Sequence, residues 1–131
     1  MSEDAGGSWK QTTVTDWVFN IETVPSGVVY AGGGSLWKSS DHGKTWTKLT
    51  DFQGVTVVGI AVDPHDENRI WCSAVTWGES SQGGIYRSLD GGKQWEEITS
   101  DIPYRKPLVL RYNPSTRELW AVGVGAFKAK Q

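Results

Sequence analysis

The apolar residues of this chain occur in short runs rich in Val, Ile and aromatic residues, and no run keeps the spacing of an amphipathic helix. Gly, Pro, Asn or Asp, which favour turns, bound these runs. Short β-branched and aromatic runs between such turns are typical of β-strands. The pattern therefore predicts an all-β chain.

The predicted strands repeat in units. A unit consists of strand A, a polar turn with proline, strand B, a loop, strand C, a polar octet and strand D, and the third unit stops after strand C. Strand A is predicted at 19–23, 59–63 and 109–113. Strand B has an aromatic residue at one shared register (Tyr30, Trp71, Trp120), and so has strand C (Trp37, Tyr86, Phe127). Agreement at independent registers indicates an internal repeat.

The octet has the pattern Ser-x-Asp-x-Gly-x-x-Trp and occurs at 2–9, 39–46 and 88–95. In this pattern Asp accepts hydrogen bonds from the turn, Gly takes a positive φ, Ser adds a local bond and Trp covers the hairpin. The shared positions are Ser2, Asp4, Gly6, Trp9, Ser39, Asp41, Gly43, Trp46, Ser88, Asp90, Gly92 and Trp95. One carboxylate per turn is too few for Ca²⁺, so no metal is predicted there.

These octets resemble the Asp-box, or BNR, repeat, Ser-x-Asp-x-Gly-x-Thr-Trp, which "SSDHGKTW" fits at every position. The repeat occurs in sialidases, sortilin-type receptors, xyloglucan-active glycoside hydrolases and photosystem II assembly factors. The resemblance covers nearly the whole chain and implies a β-propeller of four-stranded blades. It says little about function, because the family includes enzymes, receptors and scaffolds.

Three blades do not close a ring, since known propellers have at least four. The first octet has no strands A to C before it, and the third unit has no octet after it. We therefore expect a strand-exchanged homodimer with six blades, in which residues 8–14 of one chain complete the last blade of its partner. A fragment of a longer propeller, natural or engineered, is the alternative.

This interpretation divides one propeller half-domain, 1–131, into four parts. They are an outer strand at 1–14, blade 1 at 15–50, blade 2 at 51–99 and strands A to C of blade 3 at 100–131.

The 131 residues suffice for one domain, and their net charge of −2 argues against a nucleic-acid partner or a polybasic membrane surface. No apolar run is long enough to cross a bilayer, and the polar start is unlike a secretory signal, so a soluble protein of open location is expected. The lone Cys72 excludes an internal disulfide. The acidic turn around His65 is read as solvated, and no cofactor or metal is predicted.

Ligands of propellers usually bind at the face formed by the D–A connections and the B–C loops. The longest such loop, 75–84, contains Trp77, Glu79 and Gln82, which suit a sugar platform, and the same face carries Trp17. Tyr104, Arg105 and Lys106 suit contact with an anionic group. The alternative is that Trp77 packs over a neighbouring blade and the charges are solvated.

The predicted function is a non-catalytic binding or assembly module that associates with itself and binds a glycan or protein ligand. The alternatives are a glycan-binding lectin, a glycoside hydrolase or sialidase-like enzyme, and a structural component in virion or photosystem assembly. Catalysis is disfavoured because Arg69 and Arg117 lie at A–B turns, away from the ligand face. The acids of that face (Asp16, Asp51, Glu79, Asp101) form no evident pair, so no catalytic residue is assigned.

Overall fold

A computed structural model describes residues 1–50, 52–78 and 82–131 of the chain. These residues form eleven β-strands in three sheets and no helix, as the pattern predicts. The first sheet contains β1 (Asn20–Thr23), β2 (Val29–Gly32), β3 (Leu36–Ser39) and β4 (Thr47–Thr50). The second contains β5 (Thr56–Asp63), β6 (Asp66–Val75), β7 (Gly83–Ser88) and β8 (Glu96–Glu97). The third contains β9 (Val109–Asn113), β10 (Glu118–Gly123) and β11 (Gly125–Lys130).

Each sheet is an antiparallel meander in which strands adjacent in sequence are adjacent in space. The first strands β1, β5 and β9 lie next to one another, so the sheets fan out from a common centre. Radial repetition of such meanders is the architecture of a β-propeller. The described residues include no helix long and apolar enough to cross a bilayer.

The strand registers place side chains in two cross-strand rows on opposite faces of each sheet. The front rows are Ile21–Ala31–Trp37, Ile60–Cys72–Tyr86 and Leu110–Ala121–Phe127. The back rows are Glu22–Tyr30–Lys38, Ala61–Trp71–Arg87 and Arg111–Trp120–Lys128. Both predicted aromatic registers are therefore confirmed, one in the front rows and one in the back rows.

The core lies between the sheets, where the back row of one packs on the front row of the next. Tyr30 of the first sheet is fully buried in a cluster with Ile60 and Cys72 of the second. Trp71 of the second sheet is fully buried against the third and stacks on Tyr112, with ring centroids 4.5 Å apart. The middle sheet is thus covered on both faces and each outer sheet on one.

The predicted strand D over residues 8–14 does not form within the single chain. The backbone of Lys10 instead pairs with Met1, with N–H···O distances of 2.7 and 2.6 Å. The third sheet accordingly has three strands, where the other two have four. Pairing of residues 8–14 with another copy, and the blade boundaries that depend on it, remain proposals.

Candidate functional site

The two ends of the sheets carry different features, and the octets occupy one end. In the second octet the Ser39 hydroxyl donates to Asp41 Oδ1 (2.8 Å) and accepts from the N–H of Gly43 (2.8 Å). The N–H and the hydroxyl of Thr45 donate to the two Asp41 oxygens at 2.8 and 2.6 Å. The Trp46 indole donates to the Gly43 carbonyl (2.9 Å) and closes the hairpin.

In the other two octets the serine hydroxyl again donates to the aspartate and accepts from the glycine N–H. In the third, the backbone N–H of Gln94 donates to Asp90, and the Trp95 indole donates to the Gly92 carbonyl (3.0 Å). In the first, Ser8 replaces threonine and its hydroxyl donates to Asp4 Oδ2 (2.7 Å). The hydrogen bonds from Ser8, the largest influence, lower the pKa of Asp4 to about 2. All three aspartates are occupied by their own turns.

Aromatic side chains dominate the opposite end of the sheets, where the first strands begin. Trp17 is 84% exposed, Phe19 50% and Trp77 63%. The rings of Phe19 and Trp77 lie 5.6 Å apart at 41°, and the Trp77 indole donates to Thr56 Oγ1 (3.1 Å). We call Trp17, Phe19 and Trp77 the aromatic mouth. With Thr15, Asp16, Gly34 and Thr56 they line a cavity of about 440 Å³.

Two local features hold the aromatic mouth in place. Asp16 Oδ2 accepts a hydrogen bond from the Trp37 indole (2.9 Å), which ties the segment before β1 to β3. Gly33 lies so close to this segment that a Cβ there would be 2.1 Å from the Trp17 carbonyl oxygen. Glycine at position 33 is therefore required by the close approach of the two backbones.

The structure places two of the other predicted ligand residues away from the aromatic mouth. Gln82 and Arg105 line a second cavity, of about 510 Å³. Arg105 pairs there with Glu97 and donates to the Gly83 carbonyl (3.1 Å). The guanidinium is thus occupied by groups of the protein itself.

Of the remaining predicted ligand residues, Tyr104 is 57% exposed and Lys106 donates to the carbonyl of Gly78, beside Trp77. Glu79 lies outside the described residues. Sequence reasoning missed Phe19, which it assigned to a strand. The structure places Phe19 immediately before β1, and the signal in the sequence is a second aromatic residue two positions after Trp17.

Antiparallel blades with Asp-box hairpins between their third and fourth strands define this chain as an Asp-box β-propeller protein. The sequence pattern of the Sortilin-Vps10 family, described as sortilin, neurotensin receptor 3, matches residues 34–130. The chain belongs to this family.

Curated relatives include an enzyme and a receptor. A probable oligoxyloglucan-reducing end-specific xyloglucanase of Neosartorya fischeri is 37% identical over 87 residues, which are 63% of this chain and 10% of that protein. Sortilin of Danio rerio is 29% identical over 106 residues, 76% of this chain and 12% of sortilin. The chain spans about a tenth of the length of these relatives.

Solved structures with the same fold have low sequence identity. A xyloglucanase from Xanthomonas campestris superposes with a TM-score of 0.75 at 21% identity, over 98% of this chain and 23% of the enzyme. A structure of YCF48 with a bound peptide has a TM-score of 0.69 at 16% identity, over 92% of this chain and 38% of YCF48. These likenesses confirm the propeller fold.

Proposed function

We propose that this chain is a non-catalytic propeller module that binds a protein or peptide ligand at the aromatic mouth. The observation that carries the proposal is the convergence of three exposed aromatic rings around one cavity. Exposed aromatic side chains in a concave site are typical anchors for a partner, since each buries a large apolar area on contact. The bound peptide of YCF48 supports a ligand of this class.

Asp16 supports the non-catalytic part of the proposal. It is the carboxylate that lines the mouth cavity among the described residues, and its Oδ2 is engaged by the Trp37 indole. Glycoside hydrolysis needs two carboxylates that face each other across the substrate. Asp101 lines a different cavity, between the second and third sheets.

A glycan is the second candidate ligand, and the xyloglucanase relative at 37% identity favours it. Sugar rings stack on exposed tryptophan faces of the kind that Trp17 and Trp77 present. On this alternative the module is a lectin, or a hydrolase if Asp16 acts with an acid outside the described residues.

Binding of a peptide array and a glycan array, with a turnover assay on aryl glycosides, separates the three outcomes. We expect saturable peptide binding without turnover. Trp77→Ala should weaken binding about tenfold or more, because the ring is an exposed anchor of the cavity. Leu89→Ala is the matched control, since Leu89 is 56% exposed at the octet end. Turnover, or binding that survives Trp77→Ala together with Trp17→Ala, contradicts the proposal.

We further propose that the module associates with itself by completing a blade between copies, to give a six-bladed homodimer. Residues 8–14 of one copy would pair with the outer edge of β11 in the other. The three strands of the third sheet support this, as does the first octet, which is folded although its Trp9 is 76% exposed. Lys10 would exchange its pairing with Met1 for pairing with β11.

A cavity beside β11 corresponds in position to the site that Trp95 occupies in the second sheet, and it supports a place for Trp9 of a second copy. In the second sheet Trp95 packs against Phe52 at 5.6 Å and 80°, and Phe52 stacks on Tyr86 of the front row. Phe127 holds the Tyr86 position in the third sheet, and next to it lies a cavity of about 450 Å³ that Ile98 and other residues line. Trp9 of a second copy would fill this cavity.

Light scattering of the intact chain tests blade completion. We expect twice the monomer mass at micromolar concentration, and a monomer for Thr12→Pro. Thr12 corresponds to Ile98, whose N–H donates to the Ile85 carbonyl of the neighbouring strand (2.8 Å), so proline at 12 removes a bond of the exchanged strand. Thr12→Ala is the matched control and should remain a dimer. A monomeric wild-type chain contradicts the proposal, and so does a Thr12→Pro variant that dimerises normally.

A further inference from the structure

The exposed faces of the two outer sheets carry residues that are buried wherever a neighbouring sheet is present. Trp120 in the back row of the third sheet is 37% exposed, whereas Tyr30 and Trp71 at the same register are fully buried. Ile21 in the front row of the first sheet is 59% exposed, whereas Ile60 and Leu110 at the same register are fully buried. At these registers, the exposed side chains of each outer face are therefore of the kind that is buried between two neighbouring sheets elsewhere in the chain.

The back face of the third sheet carries Trp120 between two cationic row neighbours, Arg111 and Lys128, with apolar residues beside this row. Val109 and Val122 pair across β9 and β10 on this face and are 37% and 42% exposed. Lys128 lies over the Trp120 ring, with Nζ 5.3 Å from its centroid. The Lys128 stem covers the indole in water, and its ammonium pairs with Glu118 Oε1 at 3.1 Å. Trp120, Val109 and Val122 are the exposed apolar side chains of this face that a partner would cover.

The two internal interfaces show what fits this face. Between the second and third sheets, the back-row Trp71 packs against Leu110 and stacks on Tyr112 of the next first strand. Between the first and second sheets, Tyr30 packs in the same way against Ile60. The complement of a back face is in both cases a front face. In this chain the front face of the first sheet is exposed at Ile21, on its first strand, while Ala31 in the same row is buried.

We propose that the back face of the third sheet packs on the front face of the first sheet of a second copy, with Trp120 against Ile21. This rests on the self-association proposed above and assigns the sheet faces that carry it. A two-fold axis creates the contact twice, because each copy supplies one back face and one front face. The two contacts close a ring of six sheets without leaving an open face.

Cross-linking of two single-cysteine variants tests the predicted pair directly. Trp120→Cys and Ile21→Cys are prepared separately, mixed at a concentration about a thousandfold above the wild-type dissociation constant, so that the dimer persists despite the lost side chains, and treated with a short bis-maleimide. The native Cys72 is buried, so it is not labelled in the folded chain. We expect a cross-linked dimer in the mixture and none in either variant alone, since identical cysteines lie at different contacts.

Light scattering of point variants gives the second readout. Ile21→Lys and Trp120→Ala should each raise the dimer dissociation constant about thirtyfold, as for central interface residues. Leu89→Lys, at the octet end, should leave it unchanged, and circular dichroism confirms that each variant folds. A wild-type dimer that neither variant weakens and that does not cross-link overturns this inference and leaves self-association intact. A monomeric wild-type chain at micromolar concentration overturns both.

Discussion

At the scale of single residues, the octet aspartates are held by several hydrogen bonds from their own turns. Hydrogen bonds lower the pKa of Asp41 to about 2, with the Thr45 hydroxyl as the largest cause. Because this pKa is lower in the folded chain than the ordinary value near 3.8, the ionised carboxylate stabilises the fold above about pH 4. This stabilisation is lost as the pH falls from about 4 towards 2. Asp4 has the same shift for the same reason.

Thr45→Val removes the hydroxyl that donates to Asp41 and keeps the shape of the side chain. We expect the pKa of Asp41 to rise towards its ordinary value, so that the free energy of unfolding falls less between about pH 5 and about pH 2.5 than in the wild type. Urea unfolding at the two pH values measures the change. The matched control is Thr47→Val in the same hairpin, on a threonine outside the Asp41 network, and an equal effect there would contradict the assignment.

At the scale of elements, the strands follow from the sequence to the extent that they depend on local pattern. β9 occupies Val109–Asn113, as predicted, because Pro107 and Pro114 bound a short stretch that ends in alternating apolar and polar residues. β5 begins at Thr56, three positions before the predicted strand, because Val57 and Val58 are buried in the doubly covered middle sheet. That extension depends on tertiary neighbours, which a local pattern does not contain.

In the candidate site, too, some features follow from the local sequence and others depend on tertiary contacts. Trp77 and Trp17 could be predicted because aromatic residues in long or polar loops are conspicuous in a repeat. The engagement of Arg105 by Glu97 could not, because it joins a connection to a strand of the preceding blade. The blade repeat identifies where loops lie but not which of their charges pair.

At the scale of the whole molecule, we expect backbone amides to be better protected from hydrogen exchange in a sheet covered on both faces than in a sheet covered on one. β6 lies at the centre of the sheet that is packed on both sides, and its Trp71, Cys72 and Ala74 are fully buried. Its amides should exchange slowest with solvent, while those of β11, at the edge of a sheet covered on one side, should exchange faster. Hydrogen exchange by mass spectrometry on the intact chain measures both.

The concentration dependence of that exchange connects the stability of the molecule to its assembly. A ligand or partner that binds only the folded state stabilises it by mass action. If a second copy covers the third sheet, β11 and β10 should gain protection as the protein is concentrated, while β6 changes little. In Trp120→Ala the gain should be lost at the same concentrations. Protection of β11 that is independent of concentration in the wild type would show that the outer face of the third sheet stays uncovered between copies.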